Sequence, residues 1–565
     1  MSNDGWEFHL RSLSSIARDS NFADDPASDP ALLNSVNKLC ELCKEENSED
    51  LIARVYPNLN KIFQRSLATI SQSRSSIAPL LLAILQFFLD YGDVVLHDAD
   101  PSLRTFFRSC LSREFADPVV AEATLQFLNA NTKKLLSSFP TLLPQFFPLL
   151  LKLIAWNGER LEKSFLGVFP GLISTGSFLP LFPSLVDLPI LVVALEKVER
   201  SSGTLVGSSI STIQKSAAPE MLLALMDEAY TGTTIGDAGV DSESEDSSTM
   251  AVADPLFLEL LKDENDGLAE RHWTSPAMAA ALQAAINAPQ SDRLKQALRI
   301  APRLLDVYFS IAISEVNDSL ICALVPLLMT RYSTLFPDKM FSYEVQKRLL
   351  EFMLAAFRRT PDFIALLKKP IVDKLGEAYD NPAKTELALQ LCWAIGEYGG
   401  GGESHKEVAR ELFESLELLL YENLSSSRLS LQESALGSSS STIRKSLQSR
   451  LLCFVVTAIA KLATYHRDLV PRARVSLGKV ARSRISDARL WKRARDYLGL
   501  MNEPALCLSI LGPSRPSSGC SQNPGTVNWQ EGSRKMIAHI PFYILGEQEG
   551  PPVHDFSFSD ILPGR

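Results

Sequence analysis

The chain has 565 residues, 46% of them hydrophobic and 22% charged, with a formal net charge of −10. That apolar content excludes an intrinsically disordered protein, and the acidic balance argues against a general nucleic-acid binder, whose footprint is basic. One compact core cannot serve so long a chain, which leaves several globular domains or a repeat array whose core lengthens with every added unit.

From Trp6 to Leu136 apolar-periodic runs alternate with short polar breaks. Residues 31–44, 51–70, 77–92 and 120–136 each have helix length, and no alternating β pattern appears. Cys40 and Cys43 fall inside one such run. No second CxxC or HxxxH follows and the seven histidines are scattered, so neither a metal nor any other cofactor is expected. The remaining cysteines stand singly and no secretory hydrophobic region precedes them, which points to reduced thiols in the cytosol or nucleus.

The most apolar stretch, Phe139–Trp156, contains Pro140, Pro144, Pro148, Gln145 and Lys152. It falls short of the roughly 20 apolar residues that a membrane helix needs, and no second candidate stands out. Buried helix is the expectation, with any membrane association peripheral. Asn157-Gly158 closes this helix, and Pro180, Pro183 and Pro189 mark joins between short helices that continue to Val198.

Between Thr231 and Asp254 glycine, serine and acidic residues replace the apolar period, as in a flexible acidic loop. Ser242 and Ser244, each followed by an acid, suit acid-directed kinases. Helices resume over Leu294–Ile313, Leu320–Tyr332 and Tyr343–Phe357.

The run from Leu387 to Leu420 states the building unit most clearly. Leu387, Leu391, Ala394, Ile395 and Tyr398 form one apolar stripe, and Leu389, Cys392, Trp393 and Gly396 occupy the other side. A helix apolar on two sides is sandwiched between neighbours. Gly399–Gly402 supplies residues that tolerate left-handed backbone, Ser404 and Glu407 read as a capping box, and Val408, Leu412, Leu416 and Leu420 line the next helix. Two antiparallel helices with a short join, each needing a partner outside its own hairpin, build an all-α, HEAT-like solenoid.

Residues 423–450 are Ser-rich and mildly basic and read as a partly disordered loop; an apolar helix follows at Leu451–Tyr465. After Leu511 the tail is mostly irregular, with Ile537–Leu545 as a short strand or docked segment. The expected organisation is therefore an N-terminal solenoid over 1–230, the acidic loop over 231–254, a central solenoid over 255–422, the Ser-rich loop over 423–450, C-terminal helices over 451–511 and the tail over 512–565.

Candidate chemistry is sparse. His466-Arg467-Asp468-Leu469 matches the start of a kinase catalytic loop, but Ala473 stands where a magnesium-binding Asn is needed, and no Gly-rich loop after a strand or D-F-G occurs. Gly399–Ser404 lacks the Lys-Ser/Thr of a phosphate-binding loop and follows a helix. No catalytic residue is assigned. One local charge feature remains: Arg467, Arg472, Arg474, Lys479, Arg482, Arg484, Arg489, Lys492, Arg493 and Arg495 cluster against three Asp residues. They form either a patch for acidic lipid headgroups or an acidic partner, or the solvated face of two helices whose apolar sides are Val475, Leu477, Val480, Leu490 and Tyr497.

The Trp393–Gly399 segment WAIGEYG resembles a signature of large adaptin subunits of vesicle-coat adaptor complexes. Together with Phe146–Ile173, Ser319–Pro337, Cys392–Gly401 and Ile459–Val480, in that order, it is similar to the zeta-subunit family of adaptor-protein complex five. No residue-level match precedes Phe146. The resemblance implies a HEAT/adaptin-like α-solenoid and a non-enzymatic structural subunit that pairs with β-type, medium and small subunits. It also implies association with spatacsin- and spastizin-like proteins, a cytoplasmic location peripheral to late endosomes and lysosomes, and retrieval of cargo toward the Golgi. Trp393, Gly396, Glu397 and Tyr398 are the structural signature, with Trp393 and Tyr398 packing between repeats and Gly396 permitting close helix approach. About 65 residues follow Leu500, too few for the usual two-subdomain ear, and no clathrin-binding box lies outside a helix. The alternative reading is a HEAT-like transport receptor that binds peptides outside any coat.

Overall fold

The computed structural model describes residues 4–18, 30–46, 48–69, 77–202, 283–285, 287–378, 384–400, 405–433, 440–483 and 488–511. The acidic segment 231–254 with Ser242 and Ser244, the capping Ser404, and the tail with Ile537–Leu545 lie outside them. Among the described residues every regular element is a helix. The fold is all-α, of stacked helices in the solenoid manner.

The chain divides into two compact units. The first contains α1 (Asp4–Arg18), α2 (Pro30–Glu46), α3 (Glu49–Thr69), α4 (Ala78–Val95), α5 (Ala99–Thr105), α6 (Pro118–Ser138), α7 (Phe147–Asn157), α8 (Glu162–Val168), α9 (Phe178–Val186) and α10 (Leu188–Ser202). Neighbours in sequence are neighbours in space: α1 meets α2 and α3, α4 meets α2, α3 and α6, and α6 meets α8. Aromatic side chains fill the layers. Phe63 meets Phe88 edge-on at 5.6 Å, and Phe107 stacks on Phe146 at 4.8 Å.

The apolar stretch at Phe139–Trp156 is two helices, Leu142–Gln145 and α7, and not one span. Pro148 sits in the first turn of α7, where its missing N–H costs nothing, and Gly158 ends the helix at φ +68°. Among the described residues α4 is long and apolar enough to cross a bilayer, and α9 with the first part of α10 is so only as a pair bent by 63°. Leu80, Leu81, Ile84, Leu85, Phe87 and Phe88 are all buried against α2, α3 and α6, so α4 is built as a core helix.

The second unit contains α12 (Asp318–Arg331), α14 (Lys368–Glu377), α15 (Thr385–Tyr398), α16 (Lys406–Glu433), α17 (Ser440–Tyr465), α18 (Val470–Arg482), α19 (Ala488–Leu500) and α20 (Pro504–Leu511); α11 (Asp292–Glu315) and α13 (Lys339–Arg359) each contribute residues to both units. At the centre of this unit α17 packs against α15, α16, α18, α19 and α20. Every residue from Leu451 to Ala463 is buried, which is why this run shows no polar face in the sequence.

The Ser-rich loop expected over 423–450 is a correction. Residues 423–433 belong to α16 and 440–450 to α17, which leaves 434–439 outside the described residues. Serine costs a helix only about 0.5 kcal/mol per residue. Ile443, Leu447 and Leu451 continue the apolar period of α17 toward its N-terminus, and the Gln448 side chain donates to Asn423 Oδ1 at 2.7 Å.

Candidate functional site

Helix α15, which carries Trp393–Tyr398, is held in register with α17. Glu386 lies beside Arg450, and Glu397 forms an ion pair with Lys461; in both cases the partner comes 64 residues later. An equal offset at both ends means that α15 and α17 run parallel. The same holds one layer across: Arg472 donates to Glu414 at 2.7 Å, 58 residues apart, and the Lys479 ammonium lies 4.0 Å from the centre of the Tyr421 ring. So α16 and α18 are also parallel, and α15/α16 and α17/α18 are successive helix pairs of one repeat stack. This is the geometry in which each pair buries its open face on the next.

Gly396 makes the close approach possible. A Cβ at that position would lie 3.2 Å from Ala458 Cα and 3.3 Å from Lys461 Cδ. Gly399 follows with φ −70°, an ordinary right-handed value, so of the Gly399–Gly402 run expected to allow left-handed backbone this residue does not use it; Gly401 and Gly402 lie outside the described residues. The requirement is space: a Cβ on Gly399 would meet the Ile395 carbonyl, and one on Gly400 the Tyr465 ring at 2.9 Å. Gly396, Gly399 and Gly400 thus seat α15 on the Ala458, Leu462 and Tyr465 face of α17.

Trp393 is buried, and its ring meets Tyr398 edge-on at 5.9 Å. Burial raises the Tyr398 phenol well above its ordinary value, with the neighbouring Glu397 adding to the effect. Glu397 and Lys461 are both sealed from solvent, at 2% and 5% side-chain exposure. Lys461 was not among the residues singled out in the sequence. Its signal was a lone cation in the apolar run LLCFVVTAIAKLA.

The basic cluster is not one surface. Arg472 is engaged by Glu414 and Glu417, and Arg493 is buried, donating to Thr457 Oγ1, which also contacts the Tyr497 hydroxyl. Arg474 donates to the Met501 carbonyl at 2.8 Å. Arg467, Arg474, Lys479, Arg482, Lys492 and Arg495 are exposed, and Arg489 is half-buried; Arg484 lies outside the described residues.

The decoys resolve locally. Asp468 is exposed and paired with Lys406, whose ammonium holds its carboxyl below the usual range. Burial pushes the Cys40 and Cys43 thiols up to about 12 and about 11. Among the described residues no three His, Cys, Asp or Glu side chains converge to hold a metal ion.

Comparison with known proteins agrees with this architecture. A family model described as "AP-5 complex subunit, vesicle trafficking" matches residues 27–152, including the region before Phe146 where no resemblance was evident. A second, described as "AP-5 complex subunit zeta-1, C-terminal TPR repeats", matches residues 164–523. The AP-5 complex subunit zeta-1 of Mus musculus is 25% identical over 507 residues, covering 86% of this chain and 56% of the relative. That of Homo sapiens is 26% identical over 453 residues, covering 77% and 50%. The chain spans about half the length of these curated relatives. With one family model covering more than half of its residues, the chain belongs to the AP-5 complex zeta-1 subunit family.

Proposed function

We propose that this chain is a non-enzymatic structural subunit of a vesicle adaptor complex. The observation that carries the reading is the repeat stack α15–α18, in which the family's signature residues are engaged in packing one helix pair on the next. Such a stack works by geometry. It holds partners at fixed spacing, so that weak contacts to cargo and membrane reinforce one another through effective concentration.

Its partners are β-type, medium and small subunits of the same complex, with spatacsin- and spastizin-like proteins outside it. It acts on the cytoplasmic side of late endosomes and lysosomes, as a peripheral component, in retrieval toward the Golgi. The support for this finer reading is the family membership and the segment resemblance. Affinity purification of the tagged chain at native expression tests it. Recovery of β-type, medium and small adaptor subunits is the expected result. Recovery of a lone peptide cargo without them favours the transport-receptor reading and overturns this one.

A further inference from the structure

We propose that the outer face of the α18–α19 hairpin is a contact surface for an anionic lipid bilayer. The proposal goes beyond assembly into a coat, because it gives this chain a membrane contact of its own.

Charge is segregated here. In the two helices the only acid is Asp496, against eight Lys and Arg residues in a chain of net charge −10. Three of the eight are set aside: Arg472 by its two carboxylates, Arg493 by burial and Arg489, which is half-buried. Arg474, Lys479, Arg482, Lys492 and Arg495 stay exposed, and no carboxylate pairs with them among the described residues. Arg482 lies with Val475 near the middle of the exposed side of α18, Arg474 and Lys479 stand at its two edges, roughly 140° apart, and Lys492 and Arg495 share one side of α19. Both helices pack on α17, and Arg482, Lys492 and Arg495 are exposed on the side away from it, while Arg474 and Lys479, also exposed, lean onto the Met501 carbonyl and the Tyr421 ring.

Apolar groups lie among the charges. Val475 is 58% and Trp491 37% exposed, and the Arg495 guanidinium stacks over the Trp491 ring at 4.7 Å. The Trp491 Nε1–H donates to the Ala481 carbonyl at 2.9 Å at one end of the hairpin, and Arg474 reaches the Met501 carbonyl at the other. The two helices are thereby tied to each other near the loop end and to Met501 at the other end. Cations spread over two helices with a tryptophan and a valine exposed among them complement a negatively charged, laterally mobile surface with an apolar interior.

The test is sedimentation of the purified full chain with vesicles of phosphatidylserine and phosphatidylcholine at about a 1:3 ratio. Binding is expected to these vesicles and not to pure phosphatidylcholine, with release at high salt as screening shortens the reach of each charge. The triple variant R482E/K492E/R495E lowers partitioning by about 100-fold or more at an unchanged melting temperature, since each cation near an anionic surface contributes roughly fivefold. Should the triple variant melt early, R482E alone, at an exposed side chain with no partner among the described residues, still lowers binding severalfold. Equal binding to pure phosphatidylcholine, or full binding by the charge-reversed chain, overturns the proposal. So does failure to bind vesicles while soluble polyglutamate binds the same face, which would make an acidic protein the occupant. Co-purification of adaptor subunits is read separately and is independent of every one of these outcomes.

Discussion

Lys461 and Glu397 neutralise each other inside the protein, one on α17 and one on α15, with almost no solvent reaching either. The pair joins two sequence segments, WAIGEYG and IAKLATY, at the point where successive repeat layers meet. Removing one partner leaves a buried charge without its counter-ion, which costs about 3–5 kcal/mol. Lys461→Met is therefore expected to lower the urea midpoint of the second unit sharply. The double variant K461M/E397Q should recover most of the loss, a coupling that a double-mutant cycle reads directly. Equal losses in the single and the double variant would mean that the pair is not what matters.

Gly396 and Gly478 make a matched comparison. Both are in helix interiors, but a Cβ on Gly396 meets the Ala458 backbone, while one on Gly478 meets nothing within 4 Å. Gly478→Ala is expected to stabilise by about 0.5–1 kcal/mol through helix propensity. Gly396→Ala is expected to destabilise, because overpacking of about 1–3 kcal/mol outweighs the same propensity gain. Thermal melts of the two variants should move in opposite directions, and a Gly396→Ala melt above wild type would contradict the close approach.

Arg493 and Lys492 are adjacent in sequence and opposite in environment. Arg493 is buried on the Thr457 hydroxyl, whereas Lys492 is exposed. Arg493→Ala removes the donor to Thr457 Oγ1 and leaves a cavity where a fully buried side chain stood, and is expected to cost more than about 2 kcal/mol, while Lys492→Ala stays within about 0.5 kcal/mol. Chemical denaturation of the two variants checks the division of the basic cluster into packing and surface charges.

Glu386 supplies a pH dependence. Burial raises its carboxyl above the ordinary 4.5, and this is partly offset by Arg450 and Gln390. A carboxyl with a raised folded-state value contributes stability that is fully present below the unfolded value and is lost as pH rises through the folded one. The urea midpoint of Glu386→Gln minus that of wild type should therefore become more positive as pH goes from about 4.5 toward neutrality. A difference that is flat across that window would remove the buried carboxyl from the account.

Helix positions were legible because periodicity is local. The stripe at Leu387–Tyr398, the stop at Gly158 and the two-sided apolar character of α15 follow from spacing alone. Two readings failed for the same physical reason. Serine content over 423–450 hid helices that take in 423–433 and 440–450, and Gly399 and Gly400, read as sites of backbone freedom, instead make room for Leu462 and Tyr465.

The sequence by itself determined that this is an all-α, motif-poor chain with a buried tryptophan helix and a cationic C-terminal segment, since composition and spacing along the chain set those properties. Only the tertiary structure decided that Glu397 meets Lys461, that α15 and α17 lie parallel, and which arginines point to water. Those facts depend on which surfaces, 58 or 64 residues apart, exclude solvent from one another, and burial of that kind has no local signature.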